Sequence, residues 1–169
     1  MSGIDRQALL AELESEYGAG ARDELRWLVE DWAREADPTP NPDAVLRFQR
    51  EDLEARTAGR DGDAKLDALR THVLARRVDR LSARTFALGK EILSGGEPDG
   101  RARGEALRQE ADTLAGELKR LPPSPDQEPI RRALNDAVME ALFAIERKAM
   151  SPRLAREQGA GSGAPPDLR

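Results

Sequence analysis

The residues in this sequence that are best suited to chemistry are arginines that repeat along one stretch. Arg70, Arg77 and Arg84 recur at seven-residue intervals, so on a helix they lie along one side. Such a row supplies the charge and reach that phosphate contacts need, and those contacts require no fixed motif. The row therefore predicts either an anion-binding surface or a set of ion pairs with acidic helices of the same protein.

The charges around this row bear on both interpretations. Arg76, Arg80 and Lys90 point more nearly outward, which would extend a cationic face. Residues 1–37, however, hold ten acids against four arginines, a net charge of −6. Because positions that flank an apolar seam normally carry interhelical charge pairs, we favour pairing within the protein. Aromatic residues make up only 4% of the chain, which argues against single-strand binding by base stacking.

A second candidate binding residue is Trp27. On a helical wheel it lies opposite the apolar stripe of its own helix, among acidic and basic residues. A tryptophan in that position is either an exposed anchor for a partner or a contact to a second neighbour within the fold, and we favour the second. The candidate binding residues are Trp27, Arg70, Arg76, Arg77, Arg80 and Arg84.

Catalytic and metal chemistry find little support in the sequence. His72 is the only histidine and falls in the middle of a predicted helix, and there is no cysteine. Glu12, Glu14 and Glu16 are close in sequence, but their spacing scatters them around a helix. Neither a P-loop nor a G-x-G-x-x-G fingerprint occurs. We predict no catalytic residue, no metal site and no cofactor, and favour a protein without enzymatic activity.

The arginine row lies on the longest predicted helix, residues 64–93, which has no proline and no glycine before Gly89. One apolar seam follows it with alternating four- and three-residue steps, which is typical of a helix that faces a partner helix. Earlier apolar residues are rotated by about 100° from this seam, so the two halves should pack on different neighbours. The seam comprises Leu74, Val78, Leu81, Thr85, Leu88 and Ile92.

Other amphipathic segments predict four or five further helices, separated by turns rich in glycine and proline. Asn41 and Pro42 form a cap and first turn for one of them, whose apolar face includes Leu46, Phe48 and Leu53. The last predicted helix starts near Pro129, with Ile130, Leu134, Val138, Ala141, Leu142 and Ile145 on its apolar face. After Ser151 and Pro152 we predict no further regular structure.

Length and composition predict the domain organisation and the cellular location of the protein. The 169 residues fit one domain, which we place at residues 1–157, followed by a disordered tail rich in Gly, Ala, Ser and Pro at residues 158–169. No apolar run approaches the roughly 18 residues that would span a bilayer. With the absence of cysteine, this leads us to expect a cytoplasmic protein without membrane association.

These patterns predict an all-α fold, an antiparallel helical bundle of five or six helices with a flexible C-terminal tail. Leu81 and Leu114 should be fully buried in its core. By analogy with other helical bundles that have charged faces, we favour a non-enzymatic interaction module that binds a protein partner, such as an adaptor or an assembly or regulatory partner. Homo-oligomerisation is also possible. The alternatives are a nucleic-acid-associated regulator that uses the Arg-rich helix and a helical-bundle enzyme that acts on an anionic substrate.

Overall fold

The structure is a computed structural model that describes residues 5–96, 99–147 and 149–160. The described residues form helices connected by turns and contain no β-strand, so the all-α prediction is confirmed. None of these helices is both long and apolar enough to cross a membrane. The helices are α1 (Arg6–Tyr17), a 3-10 turn (Ala19–Ala21), α2 (Arg22–Ala36), α3 (Pro42–Thr57), α4 (Gly62–Leu93), α5 (Gly100–Arg120), α6 (Gln127–Glu146) and α7 (Pro152–Ala160).

The described residues therefore form seven α-helices, where the sequence predicted five or six. The additional helix is α7, which begins at Pro152 although Ser151 and Pro152 were predicted to end the ordered chain. Ser151 caps α7, because its hydroxyl oxygen accepts a hydrogen bond from the Leu154 amide at 3.3 Å. A proline in the first turn loses no helical hydrogen bond, so a Ser-Pro pair can start a helix as well as end one.

Helix α7 extends into the predicted tail, residues 158–169. Gln158 to Ala160, the first three residues of the predicted tail, are the last three residues of α7. Residues 161–169 lie outside the described residues. At the start of α3 the predicted cap is confirmed, because the Asn41 side chain accepts a hydrogen bond from the Ala44 amide and Pro42 opens the helix.

Contacts within the chain group into two compact units, Met1–Val73 and Leu74–Arg169, here called the N-terminal and C-terminal units. Each has its own apolar core. In α4, Leu69 and Val73 belong to the first core, and the seam from Leu74 onward belongs to the second. The two halves of α4 thus pack on different neighbours, as predicted. A single domain over residues 1–157 stays a prediction.

The N-terminal unit is built around Trp32 of α2, which is fully buried. Helix α3 packs on this core through Leu46 and Leu53, which are also buried. Phe48, which the sequence placed on the same face, is instead 66% exposed. Two residues along a helix amount to a rotation of about 200°, so Phe48 and Leu46 lie on opposite sides of α3.

The C-terminal unit is a bundle of α5, α6, α7 and the part of α4 from Leu74 onward. Every residue of the predicted seam on α4 is buried, including the polar Thr85. Leu81 and Leu114 have relative exposures of 0%, which confirms their predicted burial.

Helices α5 and α6 approach each other closely at Gly104. A Cβ atom at this position would lie 3.0 Å from the Ala141 carbonyl oxygen and 3.1 Å from the Ala144 Cβ. Small residues on α6 make this approach possible.

The buried face of α6 differs in part from the face that the sequence predicted. Ala137, Glu140 and Ala144 are buried, whereas the predicted Val138, Leu142 and Ile145 are only partly buried.

Replacing Leu81 or Leu114 with alanine should reduce the free energy of unfolding by about 2 to 5 kcal/mol, because each change leaves a cavity in the core of the C-terminal unit. Urea denaturation measures the loss. A loss below about 0.5 kcal/mol at both positions, the size of an ordinary surface change, would contradict the bundle core.

Gly104→Ala and Gly116→Ala form a matched pair within α5. A Cβ at Gly116 meets no atom within 4 Å, so alanine there should raise the free energy of unfolding by about 0.5 to 1 kcal/mol through helix propensity. At Gly104 a Cβ would meet three atoms, and two of them, the Ala141 carbonyl oxygen and the Ala144 methyl carbon, cannot rotate away. Overpacking of about 1 to 3 kcal/mol should therefore outweigh the gain. Thermal and urea unfolding of both variants should show opposite signs, and a stabilising Gly104→Ala would show that the two helices can separate at little cost.

Candidate functional site

The arginine row of α4 is paired with glutamates of neighbouring helices. In the N-terminal unit, the Arg70 Nε lies 3.1 Å from a carboxylate oxygen of Glu24 on α2. In the C-terminal unit, an Nη atom of Arg77 lies 2.5 Å from Glu117 on α5. Arg84 pairs with Glu110, also on α5. Each arginine of the seven-residue repeat thus has a carboxylate partner within its own unit.

The pairs between α4 and α5 follow one register. Moving from Arg77 to Arg84 advances seven residues along α4, and the partner moves back seven residues along α5, as antiparallel helices require. A third pair continues the series another seven residues on, where Glu91 meets Arg103 at 2.7 Å with the charges reversed. Any shift of register would break all three pairs together, so these three ion pairs specify how α5 aligns with α4.

The other sequence-predicted site residues also have neighbours within the fold. Arg76 and Arg80 are half-buried and each makes a polar or electrostatic interaction. Trp27 is half-buried and packs against the core of the N-terminal unit. The structure therefore places Trp27 and Arg70 in one unit and Arg77 and Arg84 in the other.

His72 is buried and also has an interaction partner. Among the described residues, no three His, Asp or Glu side chains are grouped so that they could hold a metal ion.

The most unusual polar group in the C-terminal unit, Glu140, was missed by sequence reasoning. Its side chain is on α6, 1% exposed. The Thr85 hydroxyl donates to one carboxylate oxygen at 2.7 Å, and the Ser151 hydroxyl donates to the other at 3.0 Å. Because Ser151 also caps α7, one buried carboxylate connects α4, α6 and the start of α7.

Burial raises the pKa of the Glu140 carboxyl above its ordinary value of 4.5. The hydrogen bonds from Thr85 and Ser151 favour the charged form and oppose this rise, as does the positive charge of Arg153. The negative charge of Asp136 acts in the same direction as burial. Loss of solvation is the largest of these effects, so the site favours a protonated carboxyl relative to water.

Helix α7 makes further contacts next to this network. Gly89 of α4 has no side chain, and Leu154 fills the space, with a methyl group 2.6 Å from where a Cβ would stand. The Arg153 guanidinium lies over the Phe86 ring, 4.2 Å from its centre, and Glu157 pairs with Lys90 at 3.4 Å. The only glycine in the second half of α4 is thus explained by the helix that packs on it.

One sequence signal could have identified Glu140. Ala137, Ala141 and Ala144 lie three or four residues from one another, which is the spacing of one helix face, and Glu140 falls among them. Small residues on one face indicate close helix packing, and a carboxylate on such a face has to be buried. The face predicted from the sequence instead included Val138, Leu142 and Ile145, which are only partly buried.

A groove of about 360 Å³ lies between α1 and α2 in the N-terminal unit. Its floor is apolar, formed by Leu10, Val29 and Ala33. Its rim is charged and polar, and it contains Arg6, Gln7, Arg26, Glu30, Arg34 and Asp37. No catalytic pattern is evident in this set, but an apolar floor with a rim of arginines is a surface that can bind another molecule.

Comparison with known proteins adds no family assignment. No protein-family model, curated protein or solved structure matches this chain.

The raised pKa of Glu140 predicts how stability depends on pH. The folded state binds this proton more tightly than the unfolded state, so the contribution to stability is complete below pH 4.5 and is lost as the pH rises through the raised pKa. The free energy of unfolding of the unmodified protein should therefore fall with rising pH relative to Glu140→Gln. Urea denaturation at a series of pH values measures this difference.

Glu51→Gln is the control, because it removes an exposed carboxylate from the surface of α3. The pH-dependent difference at Glu140 is compared with the difference that this variant shows over the same pH range. If the stability of the unmodified protein instead rose with pH relative to Glu140→Gln, the hydrogen bonds and Arg153 would stabilise the charged carboxylate more than burial disfavours it.

Proposed function

We propose that this chain is a non-enzymatic helical interaction module, an adaptor or an assembly or regulatory partner of another protein. The pairing of Arg70, Arg77 and Arg84 with glutamates carries this proposal. A row of arginines that served phosphate binding would present its guanidinium groups without carboxylates beside them. Here each has a glutamate in contact, so the basic charge of α4 is neutralised within the fold.

The same pairing weighs against both alternatives. A nucleic acid would have to displace Glu110 and Glu117 to reach Arg84 and Arg77, and that exchange reduces the gain from each phosphate contact. An enzyme that acts on an anionic substrate would need these arginines directed into a pocket, and their guanidinium groups instead meet carboxylates of α5 and α2. A protein partner acting in the cytoplasm is the remaining interpretation, and a second copy of the chain is one form that it can take.

Charge reversal with compensation tests this assignment. Arg77→Glu with Arg84→Glu should lower the free energy of unfolding by about 1 to 2 kcal/mol, because two half-exposed ion pairs become like-charge pairs. Adding Glu110→Arg and Glu117→Arg restores opposite charges in the same register and should recover most of the loss. Denaturation of the three proteins measures both changes, and the fourfold swap conserves the net charge.

Nucleic-acid binding is measured on the same proteins at several salt concentrations. We expect weak binding of DNA and RNA by every variant at physiological salt. Submicromolar binding by the unmodified protein, abolished in Arg77→Glu/Arg84→Glu while the melting temperature is unchanged, would overturn the proposal in favour of a phosphate-binding face. A flatter salt dependence, by about one unit of slope per lost contact, would accompany that outcome.

A further inference from the structure

The groove between α1 and α2 concentrates cations in the most acidic part of the chain. Residues 1–37 contain four arginines, and Arg6, Arg26 and Arg34 all line this groove. Arg6 is paired with Asp37. Arg26 has no hydrogen bond or ion pair within the described residues, and Arg34 donates only from its Nε, to the Glu30 backbone oxygen at 3.4 Å.

The charges of α2 along this groove form an alternating row. Arg26, Glu30 and Arg34 follow one another at four-residue steps, so they lie along one side of the helix over about 12 Å. Val29 and Ala33, which are buried beside them, form the α2 part of the apolar floor. The groove therefore presents a positive, a negative and a positive group along an apolar strip.

We propose that this groove binds an amphipathic helix of a partner protein that carries an acid, a base and an acid at four-residue steps beside an aliphatic stripe. The proposal rests on the interaction function proposed above and names its site and the chemistry of its partner. The partner acids meet Arg26 and Arg34, its base meets Glu30, and its aliphatic side chains cover Leu10, Val29 and Ala33.

Charge complementarity selects a different protein over a second copy of this chain. In a symmetric antiparallel pair centred on Glu30, Arg26 would lie opposite Arg34 of the other copy, and the two Glu30 side chains would face each other. All three contacts would then be between like charges. A stretched polyanion such as DNA would meet Glu30 in the centre of the row, whereas an alternating helix has a base there.

The proposal is tested with two stapled helical peptides of 16 residues, since unstapled helices of that length are only marginally stable in water. One has the Glu-Lys-Glu order at four-residue steps with leucines beside it, and the other has the Lys-Glu-Lys order with the same leucines. Each is titrated into three proteins: the unmodified chain, the inverted row Arg26→Glu/Glu30→Lys/Arg34→Glu, and the control Arg47→Glu. The control changes an exposed arginine of α3 and alters the net charge by the same two units as the inverted row.

The unmodified chain and Arg47→Glu should bind the Glu-Lys-Glu peptide at least tenfold more tightly than the Lys-Glu-Lys peptide. The inverted row should show the opposite preference, a gain that an unfolded variant could not produce. Absence of saturable binding to the unmodified chain, or the same preference in all three proteins, would overturn the proposal. Tighter binding of a DNA duplex than of either peptide, lost in the inverted row, would overturn it in favour of a phosphate site.

These outcomes are separate from the test of the interaction function. If the arginines of α4 prove structural in the charge-swap experiment and neither peptide binds the groove, the interaction function stands and only the location and partner chemistry proposed here fail. If the charge-swap experiment instead favours phosphate binding by α4, the proposed function fails whatever the peptides do.

Discussion

The C-terminal unit depends on how one buried carboxylate is satisfied. The buried Glu140 carboxyl, ionised or neutral, needs a partner for each oxygen, because a buried polar group without one costs about 1 to 3 kcal/mol. Thr85 and Ser151 meet this requirement from two other segments of the chain. Ser151 in turn caps α7, and Leu154 of α7 fills the space above Gly89. The carboxylate thus determines where the last described helix lies on the bundle.

Charged residues specify alignment in this protein more than they add stability. Half-exposed ion pairs such as Arg84 with Glu110 contribute little free energy each, commonly below 1 kcal/mol. Three pairs at seven-residue steps between α4 and α5 nevertheless favour one antiparallel register over its neighbours. The charges that looked most like a ligand site in the sequence therefore serve to align two helices, while the apolar seam of α4 supplies the buried surface.

The α1–α2 groove differs from this basic row in what its charges touch. Arg26 has no polar partner within the described residues, and its neighbours on the floor are apolar. Binding there would engage a charge that has no polar partner among the described residues, whereas binding at Arg77 or Arg84 would first have to break an existing pair. For a protein with a net charge of −5, two arginines beside an apolar strip are a specific feature that can select an acidic partner.

The sequence by itself determined the all-α class, the seam of α4 with Leu81, the burial of Leu114 and the cap at Asn41, because periodicity and capping are local properties of the chain. Only the tertiary structure decided whether Arg77 and Arg84 face carboxylates or solvent, since their partners lie on another helix. It also decided that Glu140 is buried and that Phe48 is exposed. Those outcomes depend on which face of α6 or α3 approaches its neighbour, and for α6 the close approach at Gly104 sets that face.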